Sequence, residues 1–317
     1  MTKTLCTIGS KYTIEAKKIL KTIGTIDCLD LTQDELIKKI FQYNILVVGL
    51  GLNINEQVIR AGKNLKVIAT ATTGLDHIDI RLAAKKGIKI ISLKNETEFL
   101  NTITGTAELA FGLMIDILRM THPAIESVKN YRWDREKFRG HNLRSQTLGI
   151  IGLGRLGTMM ARFGNAFYMN VLAYDPHIND KIFNKFKAKK TDMDTLLSKS
   201  DAISIHVHLN SETENMFNCS SLSKMKKNAI LINTARGKIV NETDLLQALK
   251  NKTIAGYATD VLADELNFNQ NFSNHPLVEY AKNNHNCIIV PHIGGMTYES
   301  RQATDIFIAE KIKKELT

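Results

Sequence analysis

The feature that most constrains this chain is a glycine-rich junction between an apolar run and a helix-compatible one. Leu148-Gly149-Ile150-Ile151 leads into Gly152-Leu153-Gly154-Arg155-Leu156-Gly157, and Thr158 to Ala166 continues in helix-forming residues. In a Gly-x-Gly-x-x-Gly placed this way the first glycine permits a tight turn. The second lets the backbone approach a pyrophosphate, and the third lets the helix close on the strand. The pyrophosphate then faces free N–H groups and the positive end of the helix. Such glycines also occur in plain strand-to-helix turns, so the reading needs a second feature. Asp175 supplies it: the residue ends the next apolar run, Val171-Leu172-Ala173-Tyr174, about 20 residues on, where a carboxylate accepts hydrogen bonds from an adenosine ribose. A 2′-phosphate would meet that carboxylate, so the expected cofactor is NAD and not NADP. Gly49-Leu50-Gly51 imitates the motif, but Ile54 stands at the third glycine position and predicts a loop elsewhere in the fold. Asp76 and Asp79 read as turn residues or caps.

The 317 residues exceed what one core usually serves, and two domains are expected. Short apolar runs at Leu46–Val48, Val67–Ala69 and Ile88–Ile91 alternate with helix-compatible segments, which predicts a βα repeat and a parallel sheet. Thr104 to Met120 reads as a long helix that bridges two domains. After a polar stretch, Tyr131 to Gln146, a second series follows at Thr147–Ile151, Asn170–Tyr174, Ala202–Val207, Ala229–Asn233, Gly256–Asp260 and Cys287–Val290. Six runs match a dinucleotide-binding sheet. Tyr298 to Leu316 reads as a terminal helix that packs back on the first domain.

The net charge of +10 is spread along the chain. Its densest cluster, Lys185 to Lys190, reads as a solvated helix or loop face, so no nucleic-acid partner is expected. No run approaches the roughly 20 apolar residues of a membrane span, and Met1 to Cys6 lacks a secretory pattern. No membrane partner and a cytoplasmic location are expected. Cys6, Cys28, Cys219 and Cys287 include no CxxC pair and give no metal-site spacing, so they read as buried or incidental thiols and no metal is expected.

Reducing a carbonyl by hydride transfer requires a cation to orient the substrate, a proton donor for the oxygen, and a group that keeps that donor charged. Three late segments carry them. Asn233-Thr234-Ala235-Arg236-Gly237 puts an arginine just past a buried run, Tyr257 to Asp260 is followed closely by Glu265, and Pro291-His292-Ile293-Gly294-Gly295 delivers a histidine after the last run. Arg236 offers paired planar donors to a carboxylate, and an acid beside His292 favours the imidazolium. His206 ends a run of the second series, where it borders the nicotinamide. His77, His122, His141, His177, His275 and His285 look like loop or surface residues.

These segments, with Thr147–Gly157 and Ser200–Val207, resemble the D-isomer-specific 2-hydroxyacid dehydrogenases, of phosphoglycerate dehydrogenase type, over nearly the whole chain. The resemblance implies an NAD-dependent oxidoreductase acting on a small 2-hydroxy or 2-oxo acid, usually a homodimer formed through the region near Thr104 to Met120. It implies that Arg236 grips the substrate carboxylate and carbonyl, that Glu265 pairs with His292, and that His292 is the general acid and base. Thr234, Ala235, Arg236, Asp260, His292 and Gly295 would line the nicotinamide end, with Gly152, Gly154, Arg155, Leu156, Gly157 and Asp175 on the rest of the cofactor. Thr73 and Gly74, in Ala71-Thr72-Thr73-Gly74-Leu75-Asp76, resemble the loop whose N–H groups hold the substrate carboxylate.

Some phosphoglycerate dehydrogenases have an arginine in the preceding loop, and residues 49–54 contain none, which disfavours that substrate. His208 and Leu266 stand where the family commonly has proline. Formate oxidation is disfavoured, because glutamine is expected where Glu265 stands. The fold class implied is α/β, with two Rossmann-like or flavodoxin-like domains of parallel sheet: a cofactor domain, 101–292, inserted into a discontinuous substrate domain, 1–100 and 293–317. Fold by itself also admits a non-catalytic NAD-sensing or corepressor-like protein.

Overall fold

The computed structural model describes residues 2–265, 268 and 273–316, so Leu266 lies outside the described residues. The chain divides into two compact units, Met1–Thr102 with Met296–Thr317, and Ile103–Gly295.

The first unit is a five-stranded sheet of β1 (Thr2–Cys6), β2 (Gly24–Cys28), β3 (Ile45–Val48), β4 (Val67–Thr70) and β5 (Lys89–Ile91) in the order β2-β1-β3-β4-β5. Every pairing is parallel. The order is flavodoxin-like. Its strands β3 and β4 are buried at every position because both faces of the sheet are covered. Leu46, Val48 and Ile68 join one core with Leu36 and Val58, whereas Ile45, Val47, Val67 and Ala69 join another with Leu20, Ile308 and Ile312. The last two residues belong to the terminal helix Tyr298–Leu316, which lies along the helix Ile14–Lys21.

The second unit is a seven-stranded sheet: β6 (Thr147–Ile151), β7 (Asn170–Tyr174), β8 (Lys189–Lys190), β9 (Ala202–Ile205), β10 (Ile230–Asn233), β11 (Gly256–Thr259) and β12 (Cys287–Ile289). Its order, β12-β11-β10-β9-β6-β7-β8, is parallel throughout. The chain leaves β6 first towards β7 and later returns to β9 on its other side. Such a reversal opens a crevice beyond the carboxyl ends of the strands. Ile151, Ile203, Ile205 and Leu231 face one core, and Leu148, Ile150, Ile230 and Ile232 face the other.

Two differences from the sequence reading have physical causes. β1, β2 and β8 carry too few apolar residues to stand out, and the lysine cluster includes an edge strand, β8, after the helix Asp180–Lys185. The long helix, Gly105–Arg119, does not bridge two units. It belongs to the second, where Ala110, Phe111, Met114 and Leu118 pack under the sheet. His77 and His275 lie in loops, as the sequence reading allowed, and both pack inward: His77 is buried with its Nε2 3.4 Å from Thr70 Oγ1, and His275 Nε2 is 3.3 Å from Glu242.

Ile308 is 1% exposed in the core of the first unit. Ile308→Ala is expected to cost about 2–5 kcal/mol there. Hydrogen exchange should accelerate in β1 and in the helix Ile14–Lys21 while β6 and β10 keep their protection. Equal acceleration in both units would contradict that assignment.

Candidate active site

The carboxyl ends of the second unit's strands gather most of the residues singled out by sequence. Gly152 follows β6 at φ 88°, where a side chain would be strained, and its N–H donates to Tyr174 O at 2.9 Å. The chain then turns into the helix Arg155–Ala166, whose N-cap, Gly154, has no side-chain cap. The helix starts so close to the turn that a Cβ on Gly157 would lie 2.0 Å from Gly152 O. Around Gly154 the opposite holds, and an added Cβ would meet nothing within 4 Å. That combination leaves room for an anion against the first-turn N–H groups, to which Arg155, Leu156 and Gly157 contribute.

The Arg155 guanidinium donates to Ile103 O at 2.6 Å, and burial pulls its pKa below the usual range. Asp175, one residue beyond β7, accepts from Leu153 N–H at 2.8 Å and from His177 N–H at 2.9 Å. The acid is therefore held at the rim of the glycine loop.

His206 extends β9, with Nε2 2.8 Å from Ser204 Oγ. Burial, and secondarily the charge of Arg155, lowers it to about 3, so the ring is neutral near pH 7. Its Nδ1 and the Oγ1 of Thr234 are buried with no partner among the described residues. Buried polar atoms are normally satisfied. These two, together with the uncapped helix and Asp175, fit a dinucleotide with a polar nicotinamide end.

Beyond β10, Asn233 shapes the arginine loop. Its Oδ1 accepts from Ala235 N–H and its Nδ2 donates to Arg236 O, both at 3.0 Å. Arg236 is partly buried and donates through Nη1 to Ala235 O at 2.7 Å. The next residue, Gly237, packs so tightly on the following loop that a Cβ would lie 2.0 Å from the Leu262 carbonyl carbon. The loop that ends in Glu265 therefore lies directly against the one that carries Arg236.

His292 follows β12 in the left-handed region, φ 53°, and its Nδ1 is 2.7 Å from Glu265 Oε1. The two side chains are 28% and 23% exposed, reachable by a small molecule yet largely shielded. Asp260 braces the backbone beside the pair. Its carboxylate accepts from Ile293 N–H at 2.6 Å and Gly294 N–H at 2.8 Å, clamping the chain just after His292. Burial raises its pKa against the opposing pull of those two N–H groups. Gly295 is exposed beside the clamp.

The structure does not put every candidate in this unit: Thr73 and Gly74 belong to the first, in the loop after β4. There Thr72 Oγ1 donates to Gly74 O at 2.7 Å. Asp79 caps the helix Ile80–Lys85 by accepting from Leu82 N–H at 3.0 Å. Among the described residues no cluster of His, Cys, Asp or Glu could hold a metal ion, and no helix is long and apolar enough to cross a membrane.

Sequence reasoning missed two supports. Asn233 was read only as part of a motif. Glu242 accepts from Ala263 N–H at 2.8 Å and so braces the loop before Glu265, but an acid in a helix's first turn is too common to signal this.

Comparison with known proteins identifies the family. Residues 111–294 match the family model described as D-isomer specific 2-hydroxyacid dehydrogenase, NAD binding domain. The chain is 35% identical over 304 residues to a D-3-phosphoglycerate dehydrogenase of Methanocaldococcus jannaschii, covering 95% of this chain and 55% of that protein. It is 36% identical over 290 residues to a hydroxypyruvate reductase of Thermotoga maritima, covering 90% and 89%. It thus spans about half the length of the first curated relatives it matches. A solved D-lactate dehydrogenase from Aquifex aeolicus, complexed with NAD and lactic acid, superposes with a TM-score of 0.84 at 27% identity, over 99% of this chain and 95% of that one. With the family model over more than half of its length, this chain belongs to the D-isomer specific 2-hydroxyacid dehydrogenase family, and residues 111–294 are its NAD-binding domain.

Proposed function

We propose that this protein interconverts a D-2-hydroxy acid and its 2-oxo acid, with His292 as general acid and base, Glu265 as its partner and Arg236 as the substrate-binding cation. The observation that carries the reading is the 2.7 Å contact between His292 Nδ1 and Glu265 Oε1 in the unit that holds the glycine loop. Bound NAD supplies the hydride acceptor, and NADH the donor. Gly152, Gly154, Arg155, Leu156, Gly157 and Asp175 hold the cofactor's pyrophosphate and adenosine ribose. His206, Thr234, Ala235, Arg236, Asp260, His292 and Gly295 surround its nicotinamide end.

With Nδ1 engaged, the Nε2 of His292 is the nitrogen left to exchange a proton with the substrate oxygen. It gives the proton when the oxo acid is reduced and takes one when the hydroxy acid is oxidised. Glu265 fixes the ring's orientation and tautomer and stabilises the imidazolium. Arg236 binds the carboxylate through paired donors, which sets the carbonyl for attack. Thr73 and Gly74 contribute backbone N–H groups to the substrate carboxylate. We assign residues 103–295 to the cofactor and residues 1–102 with 296–317 to the substrate.

Small oxo acids such as hydroxypyruvate and glyoxylate suit a chain without arginine in residues 49–54; two of its relatives are a hydroxypyruvate reductase and a glyoxylate reductase. The four free thiols suit a cytoplasmic location. Tyr131 and Trp133, 101% and 88% exposed, follow the helix Thr121–Lys129, which itself exposes Ile125 and Val128. That apolar surface suits a homodimer.

Turnover should therefore appear in a panel of glyoxylate, hydroxypyruvate, pyruvate and phosphohydroxypyruvate with NADH. NADH binding without turnover of any of them would instead indicate a cofactor-sensing protein. His292→Ala is expected to lower kcat about 100-fold or more with NADH affinity nearly intact. Undiminished turnover in that variant removes His292 from the chemistry. Asp175→Ala should cut the preference for NADH over NADPH about tenfold or more, read as the ratio of kcat/KM values, because the carboxylate no longer repels a 2′-phosphate. An unchanged ratio would place cofactor selection elsewhere. In light scattering Trp133→Glu should shift the protein from dimer towards monomer, and a wild type that is already monomeric would end the dimer proposal.

A further inference from the structure

Outside the candidate site, the first unit holds a pair of thiols beside each other on neighbouring strands. Cys6 and Cys28 are register partners at the ends of the parallel strands β1 and β2. Parallel partners project to the same face of a sheet, and neighbouring strands lie about 4.7–4.9 Å apart, within the roughly 4.4–6.8 Å Cα separation that a disulfide spans. Leu29 N–H donates to Cys6 O at 2.9 Å, tying the strand ends together. Cys6 is buried and Cys28 partly exposed. β2 is the edge of its sheet, so a small shift needs to displace no strand beyond it.

We propose that Cys6 and Cys28 are a redox modification site that forms a reversible intrachain disulfide on exposure to a hydroperoxide. The partly exposed Cys28 is the thiol a small peroxide reaches. Its thiolate sulfur attacks the peroxide, the O–O bond breaks, and Cys28 becomes a sulfenic acid while the leaving oxygen takes a proton to become water. The sulfur of Cys6 then attacks the sulfenic sulfur, the S–O bond breaks, and the hydroxide leaves as water with the Cys6 proton. Two thiols and one hydrogen peroxide thus give one disulfide and two waters. A dithiol reductant reverses the change by thiol exchange.

The electrostatics assign the same roles. The hydrogen bond from Cys6 lowers Cys28 to about 7, helped by Lys17 and opposed by burial and Asp27. The shared bond and burial raise Cys6. The attacking thiol is thus the one with thiolate character near neutral pH. Tyr12 and Asp305, the other ionisable groups near Cys6, are both pushed towards their neutral forms by burial. The inference is independent of the proposed catalysis.

The test uses the full-length reduced protein, freed of reductant and treated with hydrogen peroxide. Intact mass should fall by two hydrogens, non-reducing peptide mapping should join the peptides of Cys6 and Cys28, and dithiothreitol should restore both. In Cys6→Ser, peroxide should leave a sulfenic acid on Cys28 that dimedone traps. Wild type in which both residues remain alkylatable after peroxide and denaturation would overturn the proposal. So would Cys28 advancing to sulfinic acid unlinked, or a link to Cys219 or Cys287.

Discussion

A buried carboxylate holds the candidate chemistry in place. Asp260, 1% exposed, would be costly in such a position with its oxygens unmet, because removing a carboxylate from water forfeits strong hydration. Both oxygens instead accept backbone N–H groups from the chain that has just passed His292. The bend this enforces puts His292 in left-handed backbone, tolerable for histidine but seldom adopted without support. There its ring meets Glu265. Release of the clamp would free both the backbone conformation and the ring's orientation.

The neighbouring loops repeat the device with neutral and charged side chains. Asn233 satisfies both ends of the arginine loop, Thr259 Oγ1 lies within hydrogen-bonding reach of the carbonyls of Asn233 and Val261, and Glu242 holds the loop before Glu265. Residues that bear chemistry on loops need such outer supports, since a loop backbone has no ladder to fix it. Lys238 pairs with Asp264 at 2.8 Å across the same two loops, but both side chains are well exposed and the pair contributes little.

The cofactor rim relies on economy of space. Gly157 brings the helix Arg155–Ala166 down on the turn after β6, and this closeness points the helix's free N–H groups into the crevice where strand order reverses. Asp175 serves twice. Its backbone-bound carboxylate steadies Leu153 and His177, and its charge stands where the adenosine ribose is expected.

Much was legible in the chain because local chemistry dictates it. Short apolar runs without alternation between turn signals, as in β3 and β10, suit strands covered on both faces, and the turn from Gly152 to Gly157 needs glycine where φ is positive and where the helix closes on the strand. Arg236, Glu265 and His292 were legible as candidates because each closely follows such a strand. What sequence could not rank was whatever depends on partners far along the chain. Asp260 read as a residue near the nicotinamide end, and nothing local in the chain showed that Ile293 and Gly294 would return to donate to it. His77 read as a loop or surface residue, and only its packing near Thr70 buried it. The edge strands β2 and β8 had too little apolar surface to announce themselves. The sequence by itself pointed to the central parallel strands, the nucleotide turn and the candidate reactive side chains, since these follow from hydrophobic period and backbone sterics over a few residues. The tertiary structure decided which polar group meets which, because a hydrogen bond between residues dozens of positions apart exists only once the loops have been brought together.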